Sequence, residues 1–356
     1  MRKILGLAAL VLSSLTATGC ASLVPEGMTL RLLDRAVADA MSRDDLADLP
    51  DGIHVMLCGA GSPLADIKRS GPCVAVQAGE HLYIIDAGTN GARNLGRFFV
   101  DVGRVEAVFL THAHSDHIDG LGELGMLRWL NRGGNLPLPV HGPPVVEGIV
   151  AGFNQAYAAD IGYRVAHQGA DFARANGAGL EAFPFPVPED GELATVLETP
   201  DGVRISAFTV EHEPVTEAVG YRIDYGGRSV AISGDTKKSD NLIRHSRGVD
   251  LLLHEALDSR LTNRIAAAAE KAGNTRAAQM MRDVASYHAT PVEAAESAAE
   301  AGAAHLLFYH IAPQLPAAPL ERIFLKGVGD VYTGKVTLGT DGTRISLPAV
   351  REKEQG

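Results

Sequence analysis

The sequence has few cysteines, and this argues against a metal site made of thiolates. Three occur among 356 residues, and neither Cys58 nor Cys73 lies in a metal-ligand pattern. These two could form a disulfide in an oxidising compartment or remain as two buried thiols. The sequence leaves both alternatives open.

Basic residues are also in short supply. The chain carries 32 lysines and arginines against 43 acidic residues, a net charge of −11, and has no basic run. Because nucleic-acid affinity rests on lysine and arginine contacts to phosphates, this balance argues against a polyphosphate partner. It does not exclude a small anion held by metal ions.

With 46% apolar residues, the chain can form one α/β domain of about 300 residues, and two domains are the alternative.

The apolar run near the N-terminus is too short to cross a bilayer. It follows Arg2 and Lys3, and small residues then precede Cys20. This order predicts an export signal over residues 1–19. Its removal would take the net charge to −13, because two basic residues leave with it.

Two processing routes fit the sequence before Cys20. The stretch resembles a lipoprotein signal, which implies a lipid-anchored protein of the periplasm or cell envelope. A general signal peptidase would cut at the same place. Residues 20–50 are interpreted as a spacer and a short helix, and residues 51–350 as the main domain.

Histidine and aspartate are concentrated in one stretch that follows the apolar run Val105–Leu110. Such a run predicts a buried strand that ends in a polar loop. His112 and His114 alternate, so in extended backbone both side chains leave the same face and can bind one cation. Asp116 and His117 come after a turn and can bind a second cation. These residue types suit Zn²⁺ or a similar metal, so we interpret the stretch as a metal site.

The same residue types recur where other predicted strands end. They are Asp86, His212, Asp235, Glu255 and His310. Strand ends that gather at one edge of packed sheets commonly form a site. Asp86 is expected to support the metal ligands. Residues 162–191, rich in glycine and proline, are interpreted as a substrate-binding loop or lid outside the core.

The order of these residues resembles the metallo-β-lactamase superfamily of hydrolases over about residues 51–350. The resemblance implies an α/β fold, an αββα sandwich with a dinuclear metal site between its sheets. It assigns the first metal to His112, His114 and His212, the second to Asp116, His117 and His310, and the bridging carboxylate to Asp235. A bridging aspartate at this position speaks against a true β-lactamase.

Within the superfamily, the chain resembles the ribonuclease Z branch and its arylsulfatase and phosphodiesterase relatives. The resemblance rests on Gly59–Pro63, His212 with Gly220-Tyr221, Gly234-Asp235-Thr236, His254-Glu255-Ala256 and His288. In that branch the counterpart of His288, supported by that of Glu255, donates a proton or contacts phosphate. His254 is expected to be structural.

One feature of the branch is missing. Ribonuclease Z carries a long tRNA-gripping arm between the third histidine and the bridging aspartate, whereas here His212 and Asp235 are 23 residues apart. The chain is instead long between His141 and His212, and between Glu255 and His288.

These observations predict an exported dinuclear-zinc hydrolase, with Mn²⁺ as the alternative metal, that cleaves small phosphodiester or sulfate esters. The metals would lower the pKa of a bridging water, and Asp116 would hold that water in line. His288 would protonate the leaving group while Glu255 fixes its tautomer. For His288 the plainer interpretation is a helix N-terminal residue, and for Glu255 a solvated carboxylate.

The expected partner is a small anionic ester, with nucleic acid disfavoured and a homodimer left open. Three other functions compete with this prediction. They are a ribonuclease Z-type RNA 3′-processing endonuclease, a carboxylic-ester or lactone hydrolase, and a metal-binding sensor without turnover. Export, the missing arm and the acidic charge count against the first of them.

Overall fold

A computed structural model of the protein describes residues 25–350. The predicted export signal and Cys20 lie outside the described residues. Fourteen strands are present in the described part of the chain: β1 Gly52–Gly59, β2 Cys73–Ala78, β3 His81–Ile85, β4 Val105–Phe109, β5 Leu138–Gly142, β6 Leu180–Pro184, β7 Ala194–Glu198, β8 Arg204–Thr209, β9 Val219–Tyr225, β10 Arg228–Ile232, β11 Leu251–Leu257, β12 His305–Ala312, β13 Lys335–Leu338 and β14 Arg344–Pro348.

The strands form two seven-stranded sheets. The first has the order β14-β1-β2-β3-β4-β5-β6 and the second the order β13-β12-β11-β10-β9-β8-β7. Eleven α-helices accompany them within residues 25–350: α1 Glu26–Ser42, α2 Gly91–Arg97, α3 Ser115–Ile118, α4 Leu121–Arg132, α5 Val146–Gln168, α6 Asp240–His245, α7 Ser259–Lys271, α8 Thr275–Asp283, α9 Pro291–Ala301, α10 Ala318–Phe324 and α11 Val328–Val331. The predicted αββα fold class is confirmed.

The main core lies between the two sheets. It is formed by buried side chains such as Val55 and Phe109 from the first sheet and Tyr221 and Leu253 from the second. Further apolar clusters lie on the outer faces, where α2 and α4 cover the first sheet and α9 covers the second. Strands β11 and β12 are covered on both faces and buried throughout, which explains their almost continuous apolar sequences.

The interpretation of residues 162–191 as a loop outside the core is wrong for two of its segments. Helix α5 continues to Gln168, and β6 pairs with β5 to form the edge of the first sheet. Pro184 is tolerated there because an edge strand leaves one side of its backbone without a sheet partner. Between β11 and α9 the chain forms two helices, α7 and α8, joined by a short turn.

Cys58 and Cys73 form a disulfide between β1 and β2, which resolves the two alternatives that the sequence leaves open. Both cysteines are buried. Among residues 25–350, no helix is both long enough and apolar enough to span a membrane. The boundaries of the predicted main domain stay a prediction, with β1 beginning at Gly52 and β14 ending at Pro348.

Candidate metal centre

Strand direction brings the predicted ligands to one edge of the sandwich. In the first sheet β3 runs parallel to β4, and in the second β10 runs parallel to β11 and β11 to β12. Strand β8 has the same direction as β10, because both are antiparallel to β9. The carboxyl ends of parallel strands meet at one edge, and site residues collect there. The residues at or just after these ends are Asp86, His112, His212, Asp235, Glu255 and His310.

Three histidines form the first group of ligand-type side chains. Nε2 of His112 lies 2.9 Å from Nδ1 of His114, and Nε2 of His212 lies 3.2 Å from the same atom. Together with a carboxylate oxygen of Asp235, these nitrogens lie within 4.8 Å of one another. Three imidazole nitrogens directed at one point form a donor set that suits a zinc-like cation.

Asp116, His117 and His310 form the second group. Helix α3 begins just after His114, and its first turn moves Asp116 and His117 away from the first group. Oδ2 of Asp116 lies 3.2 Å from Nε2 of His310 and 3.7 Å from Nε2 of His117. A carboxylate and two imidazoles thus converge on a second point.

A β-bulge turns His310 into this group. Glu255 pairs with Tyr309 and the next residue of β11 pairs with Ile311, so His310 is skipped in the ladder. Its φ of 44° lies in the left-handed region that residues with a Cβ rarely occupy. Bulges of this kind redirect a side chain at a functional site.

The carboxylate of Asp235 lies between the two groups. Its Oδ2 is 3.8 Å from Nε2 of His112 and 3.9 Å from Nε2 of His212. Its Oδ1 is 3.3 Å from Nε2 of both His117 and His310. Each oxygen therefore faces a different group, as the bridging role requires.

The buried polar atoms of this centre fit a divalent cation. Nε2 of His117 and Oδ1 of Asp235 are buried and have no hydrogen-bond partner within residues 25–350. Buried polar atoms without a partner are costly, and a cation would supply the missing interaction. Burial lowers the pKa of His112, His114 and His212, so these rings are neutral at pH 7 and keep a lone pair for metal.

Asp86 supports this centre by hydrogen bonds to His117 and Thr111, as the sequence suggested. Its Oδ2 accepts hydrogen bonds from Nδ1 of His117 at 2.8 Å and from the hydroxyl of Thr111 at 2.9 Å. Its Oδ1 accepts from the backbone N–H of Thr111 at 2.8 Å. These bonds fix the orientation of the His117 ring and leave Nε2 directed at the metal position.

Replacement of Asp86 by asparagine should weaken metal binding. Asp86→Asn keeps the size of the side chain but removes the charge that orients His117, so we expect zinc affinity to fall about 10–100-fold. Competition with a chromophoric chelator measures this affinity. The control is Asp34→Asn, on the exposed face of α1. Unchanged affinity in Asp86→Asn would limit Asp86 to a role in folding.

His288 lies beside both groups, at the loop before α9. Its Nδ1 is 2.8 Å from Oε1 of Glu255, and one of its ring nitrogens is within 4.8 Å of ligand atoms of Asp235 and His310. Burial lowers the pKa of His288, but the carboxylate of Glu255 outweighs burial and raises the pKa to about 9. The ring is therefore protonated at neutral pH and can donate a proton.

Glu255 is fully buried within β11, so the interpretation of a solvated carboxylate at a strand end does not apply. Its Oε1 also accepts hydrogen bonds from the backbone N–H groups of Thr236 and Ala289 at 3.1 and 3.3 Å. His254, next to it, is buried but belongs to none of the metal-type groups found in residues 25–350.

Sequence reasoning missed two groups that orient the ligands. The backbone carbonyl of Tyr287 accepts a hydrogen bond from Nδ1 of His212 at 3.1 Å, and the Thr111 hydroxyl bonds Asp86. Thr111 directly precedes the histidine-rich stretch, so its hydroxyl could have been predicted to bond a group of the site. The carbonyl of Tyr287 carries no side-chain signal at all.

The fold and the centre agree with comparisons to known proteins. A family model described as beta-lactamase superfamily domain matches residues 81–311. Ribonuclease Z of Mycolicibacterium paratuberculosis is 32% identical over 299 residues, which cover 83% of this chain and 99% of that protein. Ribonuclease Z of Mycolicibacterium gilvum is 33% identical, covering 85% of this chain and all of that protein. The crystal structure of human tRNase Z, short form, covers 83% of this chain and 99% of its own, with a TM-score of 0.59 at 18% identity.

Two facing sheets with a histidine and aspartate centre at their edge define a metal-dependent hydrolase that acts on ester bonds. The chain belongs to the metallo-β-lactamase superfamily, in its ribonuclease Z branch.

The prediction of an arylsulfatase-like or phosphodiesterase-like hydrolase of small esters is wrong. The expectation of a small anionic ester partner with nucleic acid disfavoured is wrong as well. The curated relatives with 32–33% identity bear the name ribonuclease Z and are covered over almost their whole length. Net charge misled the prediction because it is a sum over the whole surface and does not exclude a local basic region.

Proposed function

We propose that the protein is a ribonuclease Z-type endonuclease that removes 3′ extensions from RNA, with tRNA precursors as the substrate class. The observation that carries this proposal is the position of His288, held by buried Glu255 beside two groups of metal ligands. The proposal is also supported by the identity to curated ribonucleases Z over almost their entire length.

The donor set favours two divalent ions, zinc in the first instance and manganese as the alternative. His112, His114 and His212 would hold one ion, Asp116, His117 and His310 the other, and Asp235 would contact both. When bound, such ions lower the pKa of a water molecule and neutralise negative charge on phosphate oxygens.

The side chains around the metal positions have separate tasks. The carboxylate of Asp116 faces the same space as Asp235 and orients the attacking water. His288, protonated at neutral pH, donates its proton to the oxygen of the leaving ribose. Glu255 holds the Nδ1 proton of His288 and so leaves Nε2 as the donor toward substrate.

A side-by-side assay tests this proposal. Zinc-loaded protein is given a 3′-extended precursor tRNA, an aryl phosphodiester, an aryl sulfate and an aryl carboxylic ester. We expect kcat/KM for the precursor to exceed the others by about 10³-fold, because binding energy from the body of the RNA contributes to catalysis. An intact precursor together with rapid hydrolysis of an aryl ester would overturn the proposal.

We further propose that the protein is exported and anchored through a lipid on Cys20. Export would separate the protein from newly made tRNA precursors, so this proposal competes with the substrate proposed above and is tested independently of it. The buried disulfide between Cys58 and Cys73 supports an oxidising compartment. Cys20→Ser should release the protein from the membrane fraction or block its processing, as seen by fractionation and mass spectrometry. Ser42→Ala, at an exposed position of α1 that leaves Cys20 in place, is the control. A fully processed, membrane-bound Cys20→Ser protein would rule out lipidation at Cys20.

A further inference from the structure

Helices α7 and α8 form a hairpin that begins and ends at the candidate metal centre. The chain enters it just after β11, which carries Glu255, and leaves it just before His288. At the exit, the carbonyl of Tyr287 accepts the hydrogen bond from His212. The base of the hairpin is therefore attached to both a predicted metal ligand and the predicted proton donor.

The hairpin has its own small interior. Ala266 and Ala278 are buried between the two helices with Met281, and Leu64 of the loop after β1 packs against them. Asp258 caps α7 and Asn274 caps α8 through side-chain hydrogen bonds to backbone N–H groups. These contacts order the hairpin on its inner side and leave its outer face in solvent.

The hairpin carries a net positive charge, in contrast with the rest of the chain. Residues 259–283 contain five basic and two acidic residues, a net charge of +3 in a chain of −11. Arg260 and Arg282 are paired with Asp258 and Glu270. The three remaining cations, Arg264, Lys271 and Arg276, are exposed and make no hydrogen bond or ion pair within residues 25–350.

The dimensions of the hairpin suit an extended polyanion. With 13 residues, α7 is about 20 Å long at 1.5 Å per residue. Arg264 and Lys271 are seven residues apart in α7 and therefore about 10 Å apart along its axis, so they can contact different phosphates of one RNA strand. The gap between His212 and Asp235, where the family's arm would stand, contains the hairpin of β9 and β10.

We propose that the α7–α8 hairpin is a docking arm for the phosphate backbone of the RNA substrate, through Arg264, Lys271 and Arg276. The proposal rests on the proposed function, because it takes RNA as the substrate. When exposed, unpaired cations contact phosphates, counterions that were condensed on the RNA are released, and this release favours binding.

The test compares two triple variants of the full chain. One removes the arm's cations: Arg264→Ala, Lys271→Ala and Arg276→Ala. The control removes three exposed cations that also lack ion pairs within the described residues: Arg35→Ala, Arg247→Ala and Lys335→Ala. Arg247 precedes β11 and Lys335 begins β13, at the strand ends opposite those that carry Glu255 and His310.

Binding of a 3′-extended precursor tRNA is measured against salt concentration, together with hydrolysis of bis(p-nitrophenyl) phosphate, which is too small to reach the arm. We expect the arm variant to raise Kd about 10²-fold near 0.1 M salt and to reduce the slope of log K against log salt by about 2–3. The control should stay within about threefold of wild type. Hydrolysis of the small substrate should be equal in all three proteins, which also shows that the centre is intact.

The outcomes separate the two proposals. If wild type cleaves the precursor but the arm variant keeps its affinity and salt slope, or the control loses as much, the docking arm is wrong and the proposed function stands. If wild type neither binds nor cleaves the precursor, the proposed function is wrong, and the docking-arm proposal, which rests on it, is wrong as well.

Discussion

Asp235→Ala should lose bound metal and hydrolytic activity together, with activity falling on the order of 10⁴-fold or more. The reason is the position of its two oxygens, one facing His112 and His212 and the other facing His117 and His310. Removal of this carboxylate takes a ligand from both metal positions at once. It also removes a negative charge that would balance the positive charge of the two metal ions, so both ions would bind less tightly.

Metal content by plasma mass spectrometry and turnover of an aryl phosphodiester measure both effects in one preparation. Asp330→Ala, on an exposed side chain of α11, should keep metal and activity. If Asp235→Ala keeps two ions per chain, Asp235 is not the bridging ligand. The assignment of the two groups would then need revision.

His288→Ala should keep both metals and lower kcat by about 10²–10⁴-fold, the usual size of general acid catalysis. His288 is held by Glu255 through Nδ1, and its pKa of about 9 keeps it protonated at neutral pH. The loss should be largest for RNA and other alkyl esters. It should shrink for nitrophenyl esters, because nitrophenoxide leaves without a proton.

The pattern across leaving groups separates the roles that His288 could have. Equal losses for all esters would make it a contact to the non-bridging phosphate oxygens. Loss of metal in the variant would make it a ligand, which its distance from Asp235 and His310 allows. His167→Ala, an exposed histidine of α5, should behave as wild type in every assay.

The grouping of the ligand-type side chains could be predicted from sequence because these residues stand at strand ends. Alternation places His112 and His114 on one face, and the turn into α3 separates Asp116 and His117. These are local rules. The position of His310 depends on a bulge against β11, and no local pattern in β12 indicates that bulge.

Features that depend on distant contacts were harder to predict. Strand β6 is rich in residues that disfavour strands, yet pairing with β5 makes it the edge of a sheet. The disulfide forms because β1 and β2 bring Cys58 and Cys73 together across a ladder. The net charge led to a wrong prediction of the substrate because it sums over the whole chain and hides local differences, such as the positive charge of the α7–α8 hairpin.

The most direct test of the account is a zinc titration of metal-stripped protein, followed by cleavage of a 3′-extended precursor tRNA. The seven ligand-type side chains predict that cleavage rises with bound zinc and reaches its plateau at two ions per chain. Cleavage by the stripped protein in excess chelator, or a plateau at one ion, would contradict the dinuclear centre. An intact precursor with two zinc ions bound would contradict the proposed function.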